Sequence, residues 1–149
     1  MKKMILIFST CALLTTPAFA MSDAECKAEW TKADVNKDGA LTAAEAERYF
    51  ASMRVANKTM PSDSRMTDVM FMEHCKADLF KTAKAEPGAP FAGANSFTEN
   101  QAKDRIVAAG FGDVGGLKKD DKGIWRGKAK QGDKAVDVAV DFKGNVVTN

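Results

Sequence analysis

Between Asp34 and Glu45 the chain reads DVNKDGALTAAE, and its oxygen-bearing side chains fall at the first, third, fifth, ninth and twelfth positions of that segment. Ca²⁺ is a hard cation that takes about six to eight oxygens, and this spacing lets one short loop wrap around it. Asp34, Asn36 and Asp38 supply side-chain oxygens on alternate residues, and Ala40 supplies its main-chain carbonyl. Thr42 acts through a water, and Glu45 closes the shell with both carboxylate oxygens. Three carboxylates against a divalent ion leave one excess negative charge. A bidentate Glu45 also favours Ca²⁺ over Mg²⁺, whose tight octahedron has no room for it. Gly39 provides the sharp turn after Asp38, and Leu41 points into the core. A solvated Asp/Asn/Gly turn between two helices is the plain alternative, but it gives no reason for a glutamate at the twelfth position or a leucine at the eighth.

A loop of this kind needs helices on both sides. Ser22 to Ala33 has helix-forming composition, with Ser22 and Glu25 spaced as a capping box and Cys26, Trp30 and Ala33 on one stripe. Thr42 and Glu45 form a second box, opening an exit helix that carries Tyr49, Phe50 and Met53 and fades near Asn57. Pro61-Ser62-Asp63 breaks the chain, and a third helix is expected from Ser64 to Ala83 with Met66, Val69, Met70, Phe71, Cys75, Leu79 and Phe80. With Trp30 four residues before the loop and Tyr49 and Phe50 after it, the segment resembles an EF-hand calcium-binding loop at every ligand position. The resemblance implies one Ca²⁺ held by Asp34, Asn36, Asp38, Ala40, Thr42 and Glu45.

An echo follows. Cys26-Lys27-Ala28-Glu29-Trp30 is matched by Cys75-Lys76-Ala77-Asp78-Leu79, and Ala40-Leu41-Thr42 by Ser96-Phe97-Thr98. Read as a degenerate second hand over residues 75–105, the copy has lost its oxygens and carries Gln101 where a closing glutamate belongs. It would bind no calcium, and it would pair Phe97 with Leu41 across a short two-stranded bridge. Two alanine-rich amphipathic helices can produce the same match by coincidence. Met53, Met60, Met66, Met70 and Met72 read as core filling rather than as the methionine groove of a calcium sensor.

From Ser96 the pattern changes. Thr98 to Gly110 reads as a helix with Ala102, Ile106 and Ala109 on one face and Gly110 as its stop. Val114 to Lys119, Gly123 to Lys130 and Lys134 to Phe142 alternate, with Val136, Val138, Val140 and Phe142 on one side and Ala135, Asp137, Ala139 and Asp141 on the other. Asp121-Lys122-Gly123, Gln131-Gly132-Asp133 and Lys143-Gly144-Asn145 supply turns, and Val146-Val147 adds a short fourth strand. Trp125 reads as a core residue, and Arg126, Lys128 and Lys130 as a basic stripe facing solvent or an acidic partner. The expected class is therefore α+β, a helical EF-hand region with one working and one degenerate hand, followed by a helix packed on an antiparallel β-meander.

This last third resembles the PepSY-type domain of exported bacterial proteins. The likeness rests on Phe97-Thr98, Ala109-Gly110-Phe111, Val114 to Leu117, Gly123-Ile124-Trp125-Arg126-Gly127, Val138 to Asp141 and Gly144-Asn145-Val146. It implies an α+β unit that modulates peptidases or binds a protein at the cell envelope, and it implies no enzyme activity.

The first twenty residues have the form of a signal peptide: Lys2 and Lys3, an apolar run from Met4 to Leu14, and Ala18-Phe19-Ala20 for cleavage. The expected organisation is a signal peptide over 1–20, a helical EF-hand region over 21–95 and a PepSY-like α+β module over 96–149. The destination is the bacterial periplasm or secretion, with no membrane span after cleavage, since the apolar run is too short to cross. Losing Lys2 and Lys3 from the 22 basic residues balances the 20 acidic ones, which argues against nucleic acid as a partner. Cys26 and Cys75 remain, an even number that favours one disulfide in an oxidising compartment; two small core residues on helices are the other reading. The lone His74 beside Cys75 makes a poor metal or catalytic pair, and no nucleophile–base–acid set is visible, so no enzyme is expected.

Overall fold

The computed structural model describes residues 20–81 and 86–148. Apart from Ala20, the expected signal peptide lies outside the described residues, as do residues 82–85. Among the described residues four helices occur, α1 (Asp23–Ala33), α2 (Ala43–Val55), α3 (Asp68–Lys76) and α4 (Glu99–Ala108). The strands are β1 (Ala40–Leu41), β2 (Met66–Thr67), β3 (Glu86–Pro87), β4 (Lys118–Lys119), β5 (Trp125–Gln131), β6 (Lys134–Val140) and β7 (Val146–Thr148). The class is α+β.

Helix starts follow the caps. Ser22 N–H donates to Glu25 Oε2 at 2.8 Å and Glu25 N–H to Ser22 Oγ at 3.3 Å, so two otherwise orphan donors at the head of α1 are satisfied. Those Ser22 bonds, from backbone and then hydroxyl, hold the Glu25 carboxyl below its usual range. Thr98 and Gln101 repeat the box at α4, at 3.0 and 3.3 Å. At α2 only the glutamate half is seen, Thr42 N–H reaching Glu45 Oε2 at 3.5 Å, while Glu45 N–H donates to the Thr42 carbonyl at 3.0 Å.

Two hydrophobic cores form. In the helical half Cys26, Leu41, Met53, Met66, Phe71 and Cys75 have no exposed surface, and Tyr49, Phe50 and Phe80 are buried with them. Edge-to-face contacts run from Trp30 to Phe71 (5.3 Å between centroids), from Phe71 to Tyr49 (4.9 Å) and from Tyr49 to Phe80 (5.0 Å), the geometry that aromatic quadrupoles favour. Burial raises the Tyr49 hydroxyl above its ordinary pKa. Cys26 and Cys75 form a disulfide with Cα atoms 5.8 Å apart, tying α1 to α3. The methionines divide as core filling predicts, with Met53 and Met66 inside and Met60, Met70 and Met72 partly buried against the core.

In the second core, Ala102 and Ile106 of α4 lie on Ala129, Val138, Val140 and Val146, closed by Phe111 and Leu117. The sheet order is β3-β7-β6-β5-β4, antiparallel throughout except for β3, which runs parallel to β7. The three basic residues of the expected stripe each have an acidic neighbour: Arg126 with Asp120, Lys128 with Asp137 and Lys130 with Asp113. Trp125 is half-buried, its indole N–H donating to the Phe97 carbonyl at 3.0 Å. Residues 86–97 run along this sheet, with Gly93 N–H on the Lys122 carbonyl at 3.0 Å. Among the described residues, no helix is long and apolar enough to cross a membrane.

Four expectations change. Leu41 pairs with Met66, not Phe97, in an antiparallel bridge of β1 with β2. Positive φ at Asn57 (52°) and Ser64 (54°), on either side of Pro61, turns the chain back so that Met66 arrives beside Leu41 long before Phe97 can, and the shorter loop costs less closure entropy. Consequently α3 starts at Asp68 rather than Ser64, capped by Thr67, whose hydroxyl accepts from Met70 N–H at 3.3 Å. It leaves Val69 72% exposed. The first expected strand shrinks to Lys118–Lys119, because Gly115 and Gly116 bring no side chain to hold a ladder. The strand expected to reach Phe142 ends at Val140, two residues earlier than its alternation suggests; Asp141 is fully buried and Phe142 is 37% exposed.

Candidate metal centre

The loop from Asp34 to Glu45 joins α1 to α2, and hydrogen bonds within it fix its curl. Asp34 is the C-cap of α1, its N–H on the Trp30 carbonyl at 2.9 Å. Its side chain, only 8% exposed, turns inward: Oδ1 accepts from Asp38 N–H and Oδ2 from Gly39 N–H, both at 3.2 Å. Asn36 Oδ1 accepts from Asp38 N–H at 2.9 Å, and Asp38 Oδ1 accepts from Ala40 N–H at 3.0 Å. Gly39 has φ +79°, and a Cβ there would meet nothing within 4 Å. The left-handed backbone, not lack of space, is what asks for glycine.

β1 anchors the far end. Leu41 is completely buried and Ala40 nearly so, and their pairing with Thr67 and Met66 backs the loop with a second segment. Helix α2 then carries Glu45 in its first turn. Glu45 Oε1 accepts from Val35 N–H at 3.0 Å and Asn36 N–H at 3.2 Å, so the twelfth residue of the loop folds back over its second and third. Ala43, the tenth residue of the loop and the first of α2, has φ +45°, a left-handed conformation costing a residue with a Cβ roughly 1–2 kcal/mol.

All six expected ligand positions thus lie on one curled segment. Among the described residues, none of Asp34, Asp38 and Glu45 takes part in an ion pair with a lysine or arginine. Nor do three acidic, histidine or cysteine side chains stand together as a ready metal-binding group among the described residues. The Glu45 carboxylate is engaged by backbone N–H groups at the start of the loop. Soft-ligand chemistry is closed to Cys26 and Cys75, since both are in the disulfide, and His74 stacks edge-on to Phe80 at 6.1 Å.

The contribution of Met66 and Thr67 was not read from the sequence. The signal was present: Leu41-Thr42 and Met66-Thr67 are each an apolar residue followed by a threonine N-cap, the second behind a Pro61-Ser62-Asp63 turn. No protein-family model matches this chain, and neither a curated protein nor a solved structure matches it.

Proposed function

We propose that this is an exported calcium-binding protein that holds one Ca²⁺ per chain in the loop Asp34 to Glu45, with the ion in a structural role. The observation that carries the reading is the curled loop itself, with three carboxylates, an amide, a main-chain carbonyl and a hydroxyl on one twelve-residue segment and, among the described residues, no ion pair to those carboxylates. Such hard oxygen donors suit Ca²⁺. Asp34, Asn36, Asp38, Ala40, Thr42 and Glu45 would hold the ion, and the reading requires Glu45 to give up the Val35 and Asn36 N–H groups for it. A structural role is supported by the disulfide and by the β1–β2 bridge, which already tie both sides of the loop to α3.

A second reading has its own observation. Helix α2, which carries Glu45 near its start, ends against α4, where Arg54 forks onto Asp104. Calcium at the loop would then be felt by the PepSY-like module, acting as a peptidase-modulating or envelope-binding unit under calcium control. In neither reading does the protein catalyse a reaction.

Thermal unfolding separates calcium binding from a mere polar turn. A ligand that binds only the folded chain adds RT ln(1 + [L]/Kd), about 2.7 kcal/mol at 100 times Kd, which is a rise of several degrees in Tm. Ca²⁺ is expected to give that rise and Mg²⁺ at equal concentration a much smaller one. An unchanged Tm at millimolar calcium would contradict the proposal.

A further inference from the structure

Beyond the calcium loop, the Arg105 guanidinium is held in place with no anion among the described residues. Arg105, on α4, makes no hydrogen bond and no ion pair among the described residues, and its Nε is buried with no partner. Arg54 and Arg126, by contrast, are each engaged by an aspartate. The Arg105 guanidinium lies over the Phe97 ring, 4.2 Å from its centroid. On another side is Gly144, where a Cβ would come within 2.8 Å of Nη1. A side chain at residue 144 would have to displace this group. Stacking and backbone contact fix a planar fork in advance, which lowers the entropy lost when it takes a planar partner.

Beside it lies a cavity of about 330 Å³ between α2, α4 and the β6–β7 turn, lined by Val55, Leu79, Ala108, Ala109 and Val146 together with Arg105. Lys81, the other cation on its wall, is bonded to Asp78 at 2.9 Å. That volume is at the small end of ligand pockets, and its walls are mostly apolar, with Arg105 as the wall cation outside any ion pair among the described residues. We infer that this cavity binds a monocarboxylate with a short apolar body, its carboxylate on the Arg105 guanidinium and its chain against Leu79 and Val146. One guanidinium suits one negative charge, and the apolar walls disfavour a multiply charged phosphate. Burial lowers the Arg105 pKa from the ordinary arginine value, a cost to the charged form that a bound anion offsets.

The test is an NMR titration of the signal-free protein with hexanoate, N-acetylleucine and hexan-1-ol, read at the amides of residues 105–109 and 144–146. N-acetylleucine presents the carboxylate as a peptide terminus does, so its comparison with hexanoate tells which source the pocket suits. At least one acid is expected to saturate with a Kd on the order of 1 mM, as suits so few non-hydrogen atoms, while the alcohol does not saturate. Arg105→Met is expected to weaken the acid about tenfold or more, the loss of charge-assisted hydrogen bonds. Ala108→Leu, which fills the cavity and leaves Arg105 intact, is expected to weaken it as well, with both variants still unfolding cooperatively. Neither acid saturating at about 20 times that Kd would overturn the inference. So would equal affinity in wild type and in a folded Ala108→Leu variant. Calcium plays no part in this readout, so the two proposals stand or fall separately.

Discussion

Asp141 shows what a buried carboxylate requires. It has no exposed surface, yet its Oδ1 accepts from Lys143 N–H (2.9 Å) and Asn145 N–H (3.0 Å), and its Oδ2 from Asn145 Nδ2 (2.9 Å) and Phe91 N–H (3.3 Å). Burial by itself raises the pKa, but the bonds from Asn145, Phe91 and Lys143 outweigh it and hold the carboxyl below its ordinary 3.8. A depressed folded pKa contributes stability above the unfolded value, and this is lost as pH falls from about 4 through the folded pKa. Asp141→Asn puts an amide where four donors converge. It is expected to cost about 2 kcal/mol at pH 7, measured by urea unfolding, and to flatten the acid limb of the stability curve. An unchanged midpoint would mean that the turn does not depend on this carboxylate. None of this was legible in the alternation of Val136 to Phe142, because period-two reading assumes that the strand continues. The hint was a shared Asp-x-Lys-Gly pattern: Asp120-Asp121-Lys122-Gly123 and Asp141-Phe142-Lys143-Gly144 agree at the aspartate, the lysine and the glycine, and Asp120 likewise accepts from the second and fourth N–H groups after it. The ligand residues of the calcium loop were legible for the opposite reason, since their chemistry lies in spacing along one short segment.

Among the elements, α1 and α3 are held together by the Cys26–Cys75 bond, which closes a loop of 49 residues in sequence separation. In the chain-entropy account, such a crosslink stabilises the folded state by about 4 kcal/mol, less any strain. Replacing both cysteines with serine is expected to lower stability by an amount of that order, read as a drop in the urea midpoint. A double variant as stable as the parent would show that the helical core holds without the bond. The sequence offered this bond as one of two readings, and only the placement of both helices decides between them. It placed the N-caps of α1 and α2, Ser22 and Thr42, correctly because a capping box is local. The partner of Leu41 was not local in that sense. Phe97 and Met66 are both apolar residues followed by threonine, and only the turn chemistry around Pro61 distinguishes them.

Across the whole molecule, the two cores meet where α2 lies along α4, and Arg54 with Asp104 is the polar contact there. Periodicity identified both halves and their α+β class, yet it carries no signal for which polar side chains, such as Arg54 and Asp104, meet between them. If calcium is structural, hydrogen exchange is expected to slow on calcium addition only in α1, the loop, α2 and α3, leaving residues 97–149 unchanged. Slowing that reached Trp125 and β6 would mean that the ion biases the α+β module too, as the calcium-controlled reading demands. The account as a whole rests on one ion in one loop, and titration calorimetry with calcium addresses it most directly. The signal-free protein is expected to bind Ca²⁺ with a stoichiometry near one, and Glu45→Gln to weaken it by about 1.4 kcal/mol or more, a tenfold loss. No binding heat across millimolar calcium, or a stoichiometry near two, would contradict it.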